Sequence, residues 1–252
     1  MRTIVVVPTY NEVDNVARLL AAVRRDVPSA DVLVVDDNSP DGTAALAEAT
    51  AAELGQIKVM RRPGKQGLGS AYRDGFKVAV DEGYDVVVSM DVDFSHDPAV
   101  IPAMVRLVDG GADAVIGSRY VPGGRTVNWP FHRRFLSKWG NRYAAFMLGL
   151  DVQDCTSGFR AYRADALKAI DPSSTTAEGY AFLTELVRRL DSAGDRIAET
   201  PIVFTDREQG ASKMSRAIIF ESMLLVTRWG VSDRMRRVRA AWRARRAGAD
   251  AR

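Results

Sequence analysis

Short apolar runs rich in β-branched residues recur every 25 to 30 positions along the first half of the chain. They cover residues 3–7, 31–35, 57–60, 85–90 and 113–116. The gaps between them carry apolar side chains at helical spacing, at residues 13–25, 44–54 and 71–80. This alternation is typical of βαβ units, and it predicts an α/β fold in which helices flank a parallel sheet.

The pattern changes after Arg119. Glycine and proline mark a loop over residues 121–125, helical spacing resumes over residues 133–150, and a late apolar run predicts a strand over residues 197–204. No repeat or composition shift interrupts the chain before residue 228. We therefore predict one domain over residues 1–227, followed by a basic amphipathic tail over residues 228–252.

Composition limits the class of protein. With 252 residues, 46% of them apolar, the chain can bury a core large enough for one α/β domain. Cys155 is the single cysteine, which excludes an intrachain disulfide, and His96 and His132 lie too far apart for zinc-ligand spacing. The N-terminus reads as a strand without the features of a signal peptide, so we expect a cytoplasmic protein.

The length of the apolar stretches and the distribution of charge along the chain indicate whether it crosses a membrane or binds nucleic acid. The longest apolar stretches, residues 143–152 and 217–226, are about half the length that crosses a bilayer, so we expect no transmembrane helix. Residues 228–252 hold nine arginines and two aspartates, a net +7 in a chain whose total is +3. This distribution argues against a basic groove for nucleic acid and for an anionic surface beneath the C-terminus.

The tail is also amphipathic. Val231, Met235, Val238 and Trp242 would share one face of a helix, and arginines occupy much of the rest. This pattern predicts a helix in the membrane interface, which would place the protein peripherally on the inner face of the membrane. A solvated basic tail is the alternative.

Polar residues follow several predicted strands, at the point where each strand ends. They occupy residues 8–12, 36–43, 91–93 and 117–119. In an open parallel sheet, ligands bind outside the carboxyl ends of the strands, so we expect these groups to line one site. Turn and helix-capping chemistry is the alternative for residues 36–43, although their position favours a site.

Asp91 and Asp93 form a candidate metal site. They stand two positions apart after a predicted strand, so both side chains would leave the same face. Carboxylate oxygens without nearby histidine or cysteine suit Mg²⁺ or Mn²⁺, which keep positions open for phosphate oxygens. The alternative is that these carboxylates cap the turn at residues 95–98.

Basic residues later in the chain offer partners for phosphate groups. They are Arg119, Arg133, Arg134, Arg207 and Lys213. Arg119 is favoured by position because it directly follows a predicted strand.

The glycines Gly67 and Gly69 do not make a dinucleotide-binding fingerprint. The final glycine is missing, and the segment follows the third strand rather than the first. We predict a tight loop leading into a helix, whose backbone could contact a ligand.

Four motifs, in this order along the chain, resemble those of the family-2 glycosyltransferases. They are Pro-Thr-Tyr-Asn-Glu at residues 8–12, Asp-Asp-Asn-Ser-Pro-Asp-Gly-Thr at 36–43, Gly-Leu-Gly at 67–69 and Asp-Val-Asp at 91–93. Further matches at residues 117–120, 129–137, 156–160 and 207–213 narrow the resemblance to the dolichyl- or polyprenyl-phosphate mannose synthases. The resemblance covers residues 3–227 and implies a glycosyltransferase A-type fold, a mixed, mostly parallel sheet flanked by helices.

The resemblance also implies roles for individual residues. The guanosine part of the donor would be held by Pro8, Tyr10, Glu12, Val35 and Asp37. The diphosphate and metal would be surrounded by Asp91, Val92, Asp93 and Ser95, with Asp91, Asp93 and Ser95 as metal ligands. Phosphates of donor or acceptor would be bound by Arg119, Arg133, Ser137, Arg207 and Lys213. Asp93, Arg119, Arg133 and Ser137 would take part in the reaction itself. Some relatives carry Gln where this chain has Ser95, so the third metal ligand stays open.

By this resemblance the chain is a metal-dependent, inverting glycosyltransferase that moves mannose from GDP-mannose to a polyprenyl phosphate with Mg²⁺ or Mn²⁺. The acceptor phosphate is already ionised near neutral pH, so we expect no dedicated general base. The expected partners are the donor, the lipid acceptor and the membrane surface, which would be reached either through the tail helix or through an integral-membrane protein that this helix helps to dock.

Other functions stand as alternatives. A polyprenyl-phosphate glucosyltransferase using UDP-glucose is the nearest, because the base-pocket residues do not separate the two donors. A processive polysaccharide synthase is disfavoured, since residues 225–229 match only half of its Gln-x-x-Arg-Trp motif. A sugar-nucleotide pyrophosphorylase lacks support because no basic glycine-rich loop follows the first strand. A catalytically silent, membrane-associated nucleotide-binding module is disfavoured by the two intact aspartates.

Overall fold

The computed structural model describes residues 1–206 and 221–236. Within those residues, seven strands form one sheet and two short strands pair separately. The strands are β1 (Thr3–Thr9), β2 (Asp31–Asp36), β3 (Ile57–Arg61), β4 (Val86–Ser89), β5 (Ala114–Ser118), β6 (Arg125–Val127), β7 (Arg160–Arg163), β8 (Ile197–Pro201) and β9 (Val203–Thr205). The large sheet has the order β3-β2-β1-β4-β7-β5-β8, and β6 pairs with β9.

Helices connect these strands and cover both faces of the sheet. They are α1 (Val16–Asp26), α2 (Thr43–Leu54), α3 (Leu68–Asp81), α4 (Ile101–Asp109), α5 (Phe131–Leu148), α6 (Ala164–Ala169) and α7 (Gly179–Ala193). Residues 221–236 are also helical and are called α8 here. No helix in the two described ranges is both long and apolar enough to cross a bilayer.

The sheet is mixed and mostly parallel, as predicted. β1 pairs in parallel with β2 and β4, β2 with β3, and β5 with β8. β7 runs antiparallel between β4 and β5, so it links two parallel groups that point in the same direction. The strand predicted over residues 197–204 is two strands in different sheets, because the chain leaves β5 after Pro201 and Val203 begins pairing with β6.

Alternate residues of the strands pack into two separate hydrophobic cores. In β1, Val5 and Val7 face the helices α1, α2 and α4, whereas Ile4 and Val6 face α3, α6 and α7. Gly75 lets α3 approach β1 closely, because a methyl group there would meet the side chain of Val6. These two cores fix the sheet and hence the loops at its edge.

A third core joins α5, α7 and α8. It contains Ala144 and Leu148 from α5, Val187 from α7 and Val226 from α8. Asp233 of α8 forms a hydrogen-bonded ion pair with Arg188 of α7, with N–O distances of 2.6 and 2.7 Å. α8 therefore runs through the predicted domain boundary at residue 228 without a break, and the two-part division stays a prediction.

Candidate active site

The polar strand ends lie along one edge of the sheet. β1, β2, β4 and β5 point in the same direction, so their carboxyl ends bring together Tyr10, Asp37, Asp91 and Arg119. The loops that carry these residues are anchored by the buried strands behind them.

Part of the polar run after β2 is structural. Asp36 accepts hydrogen bonds from the Thr9 hydroxyl (2.9 Å) and from the backbone and hydroxyl of Ser39 (2.8 and 2.6 Å). At the start of α2, Asp41 accepts from the backbone N–H and the hydroxyl of Thr43 at 3.0 and 2.6 Å, and from the backbone N–H of Val13 at 3.2 Å. These bonds tie the loop after β2 to the loop after β1, so the turn-chemistry alternative accounts for these two aspartates.

Asp37 belongs to a buried polar group that sequence reasoning did not find. Its carboxylate forms an ion pair with Arg62 and accepts from the backbone N–H of Gln66 at 3.2 Å. Arg62 also donates to Asp74 at 2.8 Å. Lys65, three residues on, holds its ammonium 4.1 Å from the centre of the Tyr10 ring. Arg62 directly follows β3, so the strand-end rule applied to that strand would have identified it.

The other residues predicted to hold the donor base differ in accessibility. Pro8, Tyr10 and Glu12 are half-buried at the edge of the sheet. Val35 is fully buried in the core beneath α3, so its side chain is not accessible to a ligand. The roles of these residues in binding stay predictions.

The segment after β4 turns sharply instead of continuing as a strand. β4 ends at Ser89, and Phe94 has a left-handed backbone (φ 58°). Asp91 directly precedes this bend and Asp93 lies within it; the expectation that their side chains share one face stays a prediction. Asp93 is buried and accepts from the Ser95 backbone N–H at 3.1 Å, as the capping alternative proposed, and Val92 packs into the core.

Asp91 is the more accessible carboxylate, with 30% of its side chain exposed. The Tyr72 hydroxyl lies 3.4 Å from its Oδ1 and His96 Nδ1 lies 4.0 Å from its Oδ2. Burial and the nearby Asp91 raise the pKa of Tyr72, so its hydroxyl stays protonated and can donate. Gly158 brings the loop before β7 against the same carboxylate. Within the described ranges, no three His, Cys, Asp or Glu side chains come together as a metal cage.

Arg119 is held by a carboxylate 35 positions away. Its guanidinium donates to both oxygens of Asp154 at 2.7 and 2.6 Å and to the Thr156 hydroxyl at 2.8 Å, and both charged residues are buried. Burial alone would raise the pKa of Asp154, but the charge and hydrogen bonds of Arg119 outweigh it and lower that pKa. A phosphate bound by Arg119 would have to share the guanidinium with Asp154. The predicted phosphate role of Arg119 stays open.

Arg133 and Ser137 lie on the first turns of α5. Arg133 pairs with Asp206 at 2.8 Å and its guanidinium lies 4.2 Å from the centre of the Trp129 ring. Ser137 accepts from the Tyr120 hydroxyl at 2.6 Å. Both residues therefore stand beside the segment after β5. Arg134 is exposed, and Arg207 and Lys213 lie outside the described residues.

The glycine segment before α3 forms the predicted tight loop into a helix. Gly69 donates its backbone N–H to Glu178 at 3.0 Å, and a methyl group on Gly67 or Gly69 would meet that carboxylate. The close approach of Glu178, which was not predicted, is the physical reason for glycine here.

The single cysteine, Cys155, is buried, and burial raises the pKa of its thiol to about 12, so it serves as an apolar core residue.

Comparison with known proteins identifies the family. A family model described as glycosyl transferase family 2 matches residues 4–171. The chain belongs to glycosyl transferase family 2. Crystal structures of the glucosyl-3-phosphoglycerate synthase from Mycobacterium tuberculosis share the fold of this family-2 chain. The complex of that enzyme with Mn²⁺, uridine diphosphate and phosphoglyceric acid gives a TM-score of 0.65 at 20% identity, covering 90% of this chain and 78% of the other.

Two bacterial relatives match almost the whole family-2 chain. An undecaprenyl-phosphate mannosyltransferase from Micrococcus luteus is 48% identical over 240 residues, which cover 95% of this chain and 98% of that protein. A polyprenol monophosphomannose synthase from Mycolicibacterium smegmatis is 46% identical over 243 residues, which cover 96% of this chain and 92% of that protein. The predicted resemblance to family-2 glycosyltransferases, and within them to the polyprenyl-phosphate mannose synthases, is confirmed.

Proposed function

We propose that this chain transfers mannose from GDP-mannose to a polyprenyl phosphate, releasing GDP and forming polyprenyl phosphate β-mannose. The observation that carries the proposal is the near-full-length similarity to two relatives that are named for mannosyl transfer to a polyprenyl acceptor. The edge of the sheet supports it, since it brings half-buried polar residues, a pair of aspartates and basic residues into one row.

The donor base is assigned to the end of this row formed by β1 and β2. Tyr10 and Glu12 are half-buried there, and Asp37 lies beside them with its partner Arg62. Guanine presents both donors and acceptors along its edge, which a paired carboxylate and guanidinium can match. UDP-glucose is the competing donor, and a uracil base would meet the same groups.

A divalent cation, Mg²⁺ or Mn²⁺, fits the bend after β4. Asp91 is partly exposed, Asp93 lies two residues on, and the buried Ser95 hydroxyl has no hydrogen-bond partner among the described residues. These are hard oxygen ligands, and they leave coordination positions for phosphate oxygens. When bound, such a cation would offset the negative charge that develops on the departing diphosphate.

The reaction is a single in-line displacement. One ionised oxygen of the acceptor phosphate attacks C1 of mannose, and the bond from C1 to the diphosphate oxygen breaks as the new bond forms, which inverts α to β. No proton has to be removed from the nucleophile. The protein's part is therefore to align two polyanions. Arg133 suits the acceptor phosphate, because its partly exposed ion pair with Asp206 is of a weak type that can exchange partners.

A lipid acceptor requires the site to reach a membrane, and α5 offers a suitable surface. Phe131, Phe135, Trp139 and Phe146 are 80%, 64%, 44% and 70% exposed. At 3.6 residues per turn they form one narrow stripe, opposite the face that carries Ser137. The exposed basic residues beside or within this stripe are Arg134, Lys138 and Arg142. Aromatic and cationic side chains on one helix are typical of an interfacial membrane helix. We therefore assign the protein to the membrane surface, peripherally and with α5 facing the lipid.

A donor panel tests the proposal. The full chain is incubated with polyprenyl phosphate in vesicles and with radiolabelled GDP-mannose, UDP-glucose or UDP-N-acetylglucosamine, with and without EDTA. We expect label in the lipid phase from GDP-mannose alone, and none in EDTA. Preferential transfer from UDP-glucose would favour the glucosyltransferase, and no transfer from any donor would favour the silent module.

A further inference from the structure

His96 lies beside the proposed metal site, and the reaction described above gives it no role. Its side chain is 1% exposed. Neither Nδ1 nor Nε2 has a hydrogen-bond partner among the described residues. Buried polar side chains in folded proteins are nearly always paired, so an imidazole in this state needs a physical explanation.

Aromatic packing fixes the plane of the imidazole. Phe159 stacks on it with ring centres 5.1 Å apart and planes 23° apart, and Phe204 meets it edge to face at 5.4 Å. Burial lowers the pKa of His96, against the opposite influence of Asp91 and Asp93. A neutral imidazole has one N–H that donates and one nitrogen that accepts.

The nitrogen nearest the site is Nδ1, which lies 4.0 Å from Oδ2 of Asp91. The Tyr72 hydroxyl lies 3.4 Å from the other oxygen of the same carboxylate. Each separation exceeds a normal hydrogen bond by about 1 Å or less, which a side-chain rotation can close. Hydrogen bonds to both oxygens would fix the orientation of the carboxylate.

We propose that His96 is a positioning residue: its Nδ1–H donates a hydrogen bond to Asp91 Oδ2 and holds that carboxylate in the orientation that binds the divalent cation. The inference rests on the proposed function, in which Asp91 is a metal ligand. Hydrogen bonds of this kind behind a metal ligand commonly contribute a factor of about 10 to 100 in metal affinity.

The test is Mn²⁺ affinity, measured on the full chain without nucleotide from the electron paramagnetic resonance signal of free Mn²⁺. His96→Asn keeps an N–H near the position of Nδ1, His96→Gln places one near Nε2, and His96→Leu removes both. We expect the dissociation constant to rise about tenfold for the Leu and Gln variants. The Asn variant should stay within about threefold of the unmodified chain, because it keeps the donor.

Two controls separate positioning from packing and from the metal assignment. Met104→Ala removes buried volume from the core under α4, which also contains Val92 and Phe159, but changes no polar group at the site, so it should leave Mn²⁺ affinity unchanged. Asp91→Asn should weaken Mn²⁺ binding strongly. Thermal unfolding of each variant checks its fold.

The outcomes distinguish the two claims. Wild-type Mn²⁺ affinity in the Gln variant, or an equal loss of affinity in the Asn and Gln variants, would overturn the role of His96. The comparison of these two variants is sufficient even where the Leu variant fails to fold. Unchanged Mn²⁺ binding in Asp91→Asn would instead overturn the metal site itself.

Discussion

The aspartates at the carboxyl edge of the sheet differ in what surrounds them. Asp36 accepts hydrogen bonds from Thr9 and Ser39, and Asp37 is paired with the cation of Arg62. Beside Asp91 lie the Tyr72 hydroxyl and the His96 ring, and 30% of the Asp91 side chain is exposed. This partial exposure leaves the Asp91 carboxylate accessible, as the proposed cation site requires.

Replacing Asp91 by Asn should lower kcat by at least about a hundredfold. The site would lose a proposed ligand of the cation that offsets the negative charge on the departing diphosphate. The measurement is steady-state transfer of labelled mannose at saturating Mn²⁺. Asp85→Asn is the matched control, since Asp85 precedes the same strand at the opposite edge of the sheet. Near-normal kcat in Asp91→Asn would contradict the assignment.

The buried pair of Arg119 and Asp154 is expected to control stability. Arg119→Met leaves the Asp154 carboxylate buried without its cation, and breaking such a pair costs about 3–5 kcal/mol. The free energy of unfolding in urea at neutral pH measures this loss. The double variant Arg119→Met/Asp154→Leu should recover most of it, whereas a double variant as unstable as the single one would contradict the pairing argument.

The same pair predicts an acid response. Arg119 lowers the pKa of Asp154 in the folded state. The stability that this pair contributes is therefore fully present above the unfolded-state value of about 3.9 and is lost as the pH falls through the lower folded-state value. Below about pH 4, the unmodified chain should lose more stability than the double variant, as measured by urea unfolding at stepped pH. Parallel losses would contradict this.

Pairs of this kind explain why the site was only partly predictable at the residue scale. The strand-end rule places Tyr10, Asp37, Asp91 and Arg119 at one edge, and the structure agrees. The partner of Arg119 lies 35 positions away in a loop with no periodic pattern, so spacing could not reveal it. His96 was considered only for zinc spacing, because its burial beside Asp91 depends on the fold.

At the scale of elements, four of the predicted strands have apolar runs that are buried on both faces, whereas β3 and β8 were predicted although they are partly exposed. The four buried strands are β1, β2, β4 and β5. β7 was not predicted, because its sequence, Arg160-Ala-Tyr-Arg163, is not an apolar run. Arg160 is nonetheless 1% exposed, since the carbonyls of Cys155, Ser157 and Leu183 accept its N–H groups. Tertiary hydrogen bonds, rather than local propensity, place this strand.

The exposed aromatic stripe of α5 predicts that this helix contacts the membrane. Phe131→Ser combined with Phe135→Ser should lower binding to phosphatidylglycerol vesicles by about tenfold or more, since burying each ring is worth about 1.5–3 kcal/mol. Co-sedimentation measures binding, and thermal unfolding should change little because both side chains are exposed. Leu107→Ser, on the exposed side of α4, is the control. Equal binding by all three proteins would exclude α5 as the contact.

The C-terminal tail predicts a separate, salt-dependent contribution. Val231 and Met235 begin the apolar face predicted for the tail helix, and both are exposed on α8. Val238 and Trp242, which complete that face, lie outside the described residues. Deleting residues 237–252 removes six arginines and keeps the ion pair between Arg188 and Asp233. Each arginine near an anionic surface contributes about 1 kcal/mol. The truncated chain should bind vesicles more weakly at low salt but not at high salt, and equal binding at low salt would refute the membrane role of the tail.

At the scale of the whole molecule, the strand order lays out the proposed reaction along one edge. The residues proposed to bind the base lie at β2 and β1, the aspartates follow β4, and Arg119 with the start of α5 follows β5. From β2 to β5 the order β2-β1-β4-β7-β5 spans four strand spacings, about 19 Å. That length suits a nucleotide diphosphate sugar laid across the edge with the acceptor phosphate at its sugar end, next to the exposed stripe of α5.

The measurement that tests this account most directly is the structure of the lipid product. The full chain is incubated with GDP-mannose labelled with ¹³C at C1 and with polyprenyl phosphate in vesicles, and the one-bond C1–H1 coupling of the product is read by NMR while GDP is quantified. The account predicts a β-linked mannosyl phosphodiester, with one GDP released for each product formed. An α-linked product, free mannose, or GDP release without lipid product would contradict it.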